Sequence, residues 1–438
     1  GDIDLFADVS SYFQAWTLVR TSAVLLVVLP MFIGIATVVV PLQVGSPSIA
    51  FPRFAAASFW AWLVGAGIHL ASFLADGGLG PAAGTDRDGT LLTITSIGLM
   101  IVAIVGASVC IVTTVIALRP VGMNLMRVPV FSWSMLVAGS VWLLSLPVLL
   151  ANLLYAYVDL QGRDPIAFGN PGRLWADLEW AFTQPQVYAY AIPVLGIGAE
   201  IVPVLAKVRQ ANRPVVLTLI GLFGVLSFGA WAQHSFSRGA DPAFTDGNLI
   251  YEEFLFAVFA LAIIVPTLGV LGGVADNLRR GTMPRPGAAL IGSIAGLLLL
   301  AAAAVVGAIR VLPFLDTLHE DNVLLSSATA HLNLITAAAV ASAIAALVWW
   351  SPKVFGGYMP DGIALAAIAL VMIGGLVGGL ADLISAFLGQ PDVSISDAVE
   401  DGVEAMNGLA VAGAGAFLLG ALALGAAAAR TVASDETI

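Results

Sequence analysis

The stretch WAFTQPQVYAYAIP (180–193) places two amides, a proline and a phenol inside a long apolar run, at Gln184, Pro185, Gln186 and Tyr188. Amides and phenols donate and accept hydrogen bonds, which buried polar groups in a membrane require. An amide does not titrate, so it cannot relay protons by ionising, and copper prefers imidazole to an amide. The proline is tolerated because neighbouring side chains can satisfy the carbonyl that it leaves free. The quartet therefore predicts a neutral, hydrogen-bonded site.

Composition indicates which elements must position this quartet. The 438 residues are 59% hydrophobic and 10% charged, with a mean hydropathy of +0.98. This balance is typical of a polytopic membrane protein and excludes an ordinary soluble domain. The single cysteine, Cys110, lies in an apolar run, so the chain cannot form an internal disulfide.

A membrane helix needs roughly 20 mostly apolar residues. Eleven runs meet this length: 16–43, 54–75, 91–118, 129–157, 180–206, 214–236, 250–274, 287–312, 325–350, 363–389 and 405–430. No stretch between them is long enough for a separate domain. We therefore expect an all-α bundle of about 11 transmembrane helices that forms a single domain over residues 1–438.

The basic residues predict the orientation of the bundle, because cytoplasmic connections carry an excess of Lys and Arg. One set of connections holds eleven of the seventeen: Arg53, Arg119, Arg127, Lys207, Arg209, Arg213, Arg279, Arg280, Arg285, Lys353 and Arg430. The N-terminus is then outside and the C-terminus cytoplasmic, in the plasma membrane of a prokaryote. The opposite face is acidic and could attract a cationic partner, or could simply be a solvated surface. We expect membrane protein subunits and lipids as partners, and no nucleic acid.

The four histidines differ in position. His69, His234 and His331 fall toward the outer ends of their runs, whereas His319 lies in an outer loop and is expected to be solvated. The ordinary explanation of the first three is a hydrogen-bonded interior histidine. Ionisable groups in membrane segments are functional candidates by default. Interfacial positions are favoured for both such carboxylates, Glu200 and Asp382.

Five segments, in order, resemble the catalytic subunit of heme-copper oxidases, cytochrome c oxidase subunit I. They are MFIGIATVVVPLQVGSPSIAFPRFAAASFW (31–60), RPVGMNLMRVPVFSWSMLVAGSVWLLSLPVL (119–149), WAFTQPQVYAYAIPVLGIGAEIV (180–202), SFGAWAQHSFSRG (227–239) and VWWSPKVFG (348–356). The resemblance covers nearly the whole chain from the family's second helix onward. The family's first helix is therefore expected to be absent or elsewhere.

The resemblance implies two hemes and a copper ion held by six histidines, and this chain has four. In the family's His-Pro-Glu-Val-Tyr motif, Gln184 replaces the copper ligand and Gln186 replaces the proton-passing glutamate, whereas Tyr188 matches the cross-linking tyrosine. The family's paired histidines read Gln233-His234. These five residues are expected to form a vestigial copper and proton site.

The heme positions are also altered relative to the family. Its His-Gly near the start of the first run reads Val19-Arg20, and its His-x-His reads Thr329-Ala330-His331. We therefore expect no cofactor and no metal, with one heme or a quinone as the alternative. A single heme could lie between His69 and His331, or between His234 and His331.

Three functions follow from these observations. The first is a cofactor-depleted subunit I homologue that serves as a structural or docking subunit of a larger membrane complex, without reducing oxygen by itself. The second is an electron-transfer subunit with a single heme or a quinone. The third is a transporter or channel that uses the vacated cofactor cavity, since interiors do not tolerate large voids.

Overall fold

The computed structural model describes residues 9–79, 87–161, 174–210, 212–233, 245–311, 323–388 and 402–433. These residues form helices and connections, with no strand among them. The helices are α1 (Val9–Ser22), a π-helical segment (Ala23–Val28), α2 (Leu29–Val44), α3 (Pro52–Ser72), α4 (Arg87–Ala117), α5 (Val130–Gln161), α6 (Leu174–Leu178), α7 (Val187–Leu205), α8 (Arg213–Leu226), α9 (Thr245–Ala262), α10 (Ile264–Arg280), α11 (Ala288–Ile309), α12 (Val323–Val354), α13 (Asp361–Phe387) and α14 (Val403–Ala433).

Within these ranges, eleven helical stretches are long and apolar enough to cross a membrane, which confirms the predicted all-α polytopic bundle. The fifth span is shorter than predicted. It was expected to begin at residue 180, but α7 begins at Val187, after a 3-10 turn at Glu179–Ala181. Pro185 explains the difference, because proline lacks an N–H and disfavours helical geometry in the residue before it. The glutamines therefore precede the helix and do not interrupt it.

Helix α7 is the centre of the bundle. Sixteen of its nineteen residues are buried, and it packs against α5, α8, α10, α11 and α12. In contrast, α14 packs along α13 and leaves most of its surface exposed. The residues at the start of α7 are thus placed where several helices converge.

Small residues let neighbouring helices approach closely, as is common in lipid. A side chain at Gly296 of α11 would overlap the hydroxyl of Ser342 on α12, and a Cβ at Gly292 would lie 2.9 Å from the Ala341 carbonyl. Gly374 of α13 lies against the backbone of α14, where its Cβ would be 2.8 Å from the Phe417 nitrogen. The many Ala and Gly residues therefore allow the helix backbones to pack closely.

The N-terminus of α5 is held by the side chain of Glu200 from α7. One carboxylate oxygen, Oε2, accepts hydrogen bonds from the backbone N–H of Val130 at 2.7 Å and of Phe131 at 3.3 Å. Arg213 of α8 donates to the Val128 carbonyl in the same turn. The carboxylate satisfies two N–H groups that a helix N-terminus leaves without intrahelical partners. Glu200 thus has a structural role at this position.

We expect Glu200→Ala to lower the free energy of unfolding by about 1–3 kcal/mol, because two N–H groups of α5 lose their acceptor. The thermal midpoint of the purified protein in detergent measures the change. Glu404→Ala is the control, because Glu404 is an exposed carboxylate in the first turn of α14. Equal midpoints for the two variants would contradict this role.

Candidate functional site

The amide of Gln186 joins three parts of the bundle. It lies at the N-terminus of α7 and is fully buried. Its Nε2 donates to the Ser145 hydroxyl of α5 at 2.9 Å, and its Oε1 accepts from the backbone N–H of Gly229, beyond α8, at 3.0 Å. Gly229 must lack a side chain, because a Cβ there would lie only 2.6 Å from the backbone nitrogen of Gln186. The amide uses both of its ends in this arrangement, which a carboxylate would not reproduce.

Gln184 and Tyr188 both reach α11. The Gln184 Nε2 donates to the Gly307 carbonyl at 3.2 Å, and the Tyr188 hydroxyl donates to the Ala303 carbonyl at 3.3 Å. A Cβ at Gly307 would lie 2.9 Å from Gln184 Oε1. At these two side chains the space between α7 and α11 is therefore closed by direct contact.

His331 of α12 lies on the other side of Tyr188. The two rings meet edge to face, with 4.6 Å between their centroids. His331 is 1% exposed, and its Nε2 is buried without a hydrogen-bond partner. The Oε1 of Gln184 is likewise buried without a hydrogen-bond partner. The structure thus brings Gln184, Tyr188 and His331 together and leaves two polar atoms beside Tyr188 unsatisfied.

His69 has a different environment. It lies in α3, where its Nε2 is 3.0 Å from the Thr21 hydroxyl of α1 and its Nδ1 is 3.1 Å from the Ser96 hydroxyl of α4. Both ring nitrogens are therefore engaged in joining three helices. The His69 ring packs edge to face on Phe73, whereas the histidine ring in contact with Tyr188 is that of His331.

Arg20 occupies the position where the resemblance implies a heme ligand. Its guanidinium donates to the Thr329 hydroxyl of α12 and stacks over the Trp16 ring, 4.0 Å from the ring centroid. The side chain is 3% exposed. The guanidinium and a threonine hydroxyl thus connect α1 to α12 directly.

Of the remaining predicted site residues, Gln233 is buried after a 3-10 turn at Ala230–Ala232. His234 and His319 lie outside the described residues. The other ionisable candidate, Asp382 of α13, accepts a 2.7 Å hydrogen bond from Asn333 of α12. This contact links α12 and α13. It was not indicated by any short-range sequence signal.

The family profile described as "Cytochrome C and Quinol oxidase polypeptide I" matches residues 3–418 of the chain. The chain belongs to this family. A probable cytochrome c oxidase subunit 1-beta from Nocardia farcinica is 30% identical over an alignment of 380 positions, which covers 81% of this chain and 60% of the relative. The quinol oxidase subunit 1 of Bacillus subtilis is 27% identical over an alignment of 444 positions, which covers 95% of this chain and 64% of the relative. The chain thus spans less than two thirds of the length of these relatives.

Membership of the cytochrome c and quinol oxidase family overturns one expectation. The prediction of no cofactor is wrong, because members of this family normally bind heme and copper and nothing in the comparisons indicates that a cofactor has been lost. The count of histidines was too narrow a basis for that prediction. A low histidine count limits which groups can be held, but it does not show that none is held.

The described residues fit only part of the family's set of cofactor ligands. Gln184 has an amide at the position where the family has a copper-binding imidazole. Its Nε2 already donates a hydrogen bond to the Gly307 carbonyl. Both ring nitrogens of His69 are within hydrogen-bond distance of hydroxyls. Among the described residues, no group of three or more metal-binding side chains occurs. Between the two histidines that the structure describes, His331 has a buried Nε2 without a hydrogen-bond partner. These contacts do not fit the full heme and copper centre, whereas one imidazole fits a single axial position.

We expect Ser145→Ala to destabilise the protein by about 1–3 kcal/mol, because it removes the acceptor of the buried Gln186 Nε2. The matched control is Ser140→Ala on the same helix, where the hydroxyl bonds only to the Leu136 carbonyl of its own turn. Thermal unfolding in detergent compares the two. If Ser140→Ala costs as much stability as Ser145→Ala, Gln186 is not held in this way.

Proposed function

We propose that this chain is a structural or docking subunit of a larger membrane electron-transfer complex and does not reduce oxygen by itself. The observation that carries the proposal is the hydrogen bonding of Gln184 and Gln186. Both amides are buried, and their nitrogens donate to Gly307 and Ser145. Where the resemblance puts a copper ligand and a proton-passing carboxylate, this chain has neutral groups engaged in holding helices together. Such groups neither ionise to pass protons nor bind copper well.

We also propose which neighbours this chain has and how it is oriented in the membrane. Proteins of this family work within multi-subunit membrane complexes, and we infer the same for this chain, with other membrane subunits and lipids as its neighbours. The arginine-rich connections support a cytoplasmic C-terminus and an outside N-terminus in a bacterial plasma membrane. The acidic outer face would then be available to a cationic partner. We further propose that residues 1–438 act as one transmembrane domain.

Replacement of Tyr188 tests whether this chain carries oxygen chemistry. If the chain is structural, Tyr188→Phe leaves oxygen consumption per assembled complex unchanged, because it removes only a hydrogen bond to Ala303. Tyr190→Phe is the matched control, since Tyr190 is also buried and its hydroxyl donates to the Ala181 carbonyl at 2.9 Å. Oxygen uptake is measured on the complex that is purified through a tag on this chain.

Two results would contradict the structural proposal. One is a selective loss of oxygen uptake in Tyr188→Phe when Tyr190→Phe is as active as the parent. The other is recovery of the tagged chain without any partner subunit after solubilisation in a mild detergent. The amount of assembled complex is determined in parallel, so that a failure to assemble is distinguished from a loss of activity.

A second candidate function is an electron-transfer subunit with a single heme. The specific observation in its favour is His331 Nε2, which is buried, faces the site at Tyr188 and has no hydrogen-bond partner. A burial of this kind costs free energy unless the nitrogen finds a partner. The bound heme would supply one-electron chemistry, and His331 would orient it through the nitrogen. The transport hypothesis gains no such support, because Gln184 and Tyr188 contact α11 directly.

For this candidate, the purified chain should contain heme by the pyridine hemochrome assay, and His331→Ala should lose it. His69→Ala should retain the heme, because both nitrogens of His69 already bond to Thr21 and Ser96. Absence of a Soret band from the parent protein would exclude the single-heme function. Equal heme content in the two variants would exclude His331 as the ligand.

A further inference from the structure

A groove of about 650 Å³ opens on the side of the bundle, away from the site at Tyr188. It lies between the helical stretch 23–44, α3 and α4. Its walls are almost entirely apolar, and small residues form much of the surface, with two aromatic rings at one side. Representative lining residues are Leu26, Gly34, Ala55, Phe59, Trp62 and Ala107.

The groove extends over one half of the membrane thickness. Along the first wall it reaches from Leu26 to Thr37, and along α3 from Pro52 to Trp62. At a rise of ~1.5 Å per residue these stretches are each about 15–17 Å long. A hydrocarbon core of ~30 Å gives each leaflet about 15 Å. Pro52 is at the arginine-rich end of its helix, so the groove runs from that interface to the middle of the bundle.

A charged side chain distinguishes this groove from a plain lipid-facing surface. Arg53 is exposed at the rim, between the lining residues Pro52 and Ala55. Ser58 also contributes to the wall, but its hydroxyl is buried and directed at α4, where a Cβ on Gly106 would lie 2.6 Å from it. The cation at the rim and the apolar walls suit a molecule with an anionic head and an apolar tail.

We propose that this groove binds one phospholipid of the leaflet at the arginine-rich face, with an acyl chain along α3 and an anionic head group at Arg53. The apolar walls exclude water from the acyl chain. The lipid would fill the open side of the groove, where the 23–44 stretch, α3 and α4 do not cover one another.

The dimensions argue against a protein helix in the same place. A spanning helix of a partner would contact the bundle over the full ~30 Å of the hydrocarbon core, whereas the groove covers about half of that length. A single flexible acyl chain fits the shorter length.

The test uses the full chain purified in mild detergent, delipidated, and examined by native mass spectrometry with added phosphatidylglycerol or phosphatidylcholine. The groove is filled by Gly34→Phe, because the Cβ position of Gly34 has no atom within 4 Å and the residue is exposed. The matched control is Gly272→Phe on α10, where the Cβ position is equally open and the residue is also exposed.

We expect the parent protein and Gly272→Phe to retain one saturable phosphatidylglycerol, and Gly34→Phe to lose it. Arg53→Gln should bind phosphatidylglycerol about fivefold more weakly, which is the effect of one basic side chain on an anionic lipid. Phosphatidylcholine binding should be unaffected by Arg53→Gln. Unchanged thermal midpoints in the variants establish that the bundle remains folded.

The inference is overturned if Gly34→Phe and Gly272→Phe bind phosphatidylglycerol equally well. Equal affinity of the parent for the two lipids, with no effect of Arg53→Gln, would overturn the assignment of the head group. Protection of Gly34 by a second copy of the chain, detected as a dimer that Gly34→Phe dissociates, would also overturn it. None of these outcomes depends on the oxygen chemistry of the complex.

Discussion

Polar groups buried in this bundle must find partners within the protein, because the hydrocarbon core supplies no water. This constraint accounts for the most informative contacts. Gln186 bonds at both ends of its amide, and Glu200 accepts from two N–H groups at the start of α5. His69 joins three helices through both ring nitrogens. Glu200 and His69, taken alone in the sequence, could serve in proton transfer or metal binding, but their hydrogen bonds in the structure connect helices.

The same constraint applies to the buried polar atoms beside Tyr188. Gln184 Oε1 and His331 Nε2 are among the buried atoms of the described residues that have no hydrogen-bond partner. An unsatisfied buried polar group costs on the order of 1–3 kcal/mol. These two atoms are therefore favourable positions for a group that accepts or donates a hydrogen bond or ligates the imidazole.

Close packing accounts for the direct contacts around Tyr188. Glycines on α11 let this helix approach α12 at Gly296 and α7 at Gly307. The side chains of Gln184 and Tyr188 then reach carbonyls of α11 without an intervening group. The volume between helices is thus decreased by backbone approach, and large side chains are not needed to fill it.

Hydropathy, a local property of the chain, was sufficient to predict the helical bundle and its eleven spans, and the resemblance of five segments predicted the family. Helix ends were less well predicted, as at Val187, because a turn that contains proline can be as apolar as the helix that follows it. The partners of Gln184 and Gln186 were decided only by the tertiary structure. Their contacts lie 41 to 123 residues away in sequence, and pairings of this kind depend on how helices are arranged. For the same reason the sequence indicated an imidazole at His331 but not that its Nε2 lacks a partner, nor that three helices leave a groove beside Ser58.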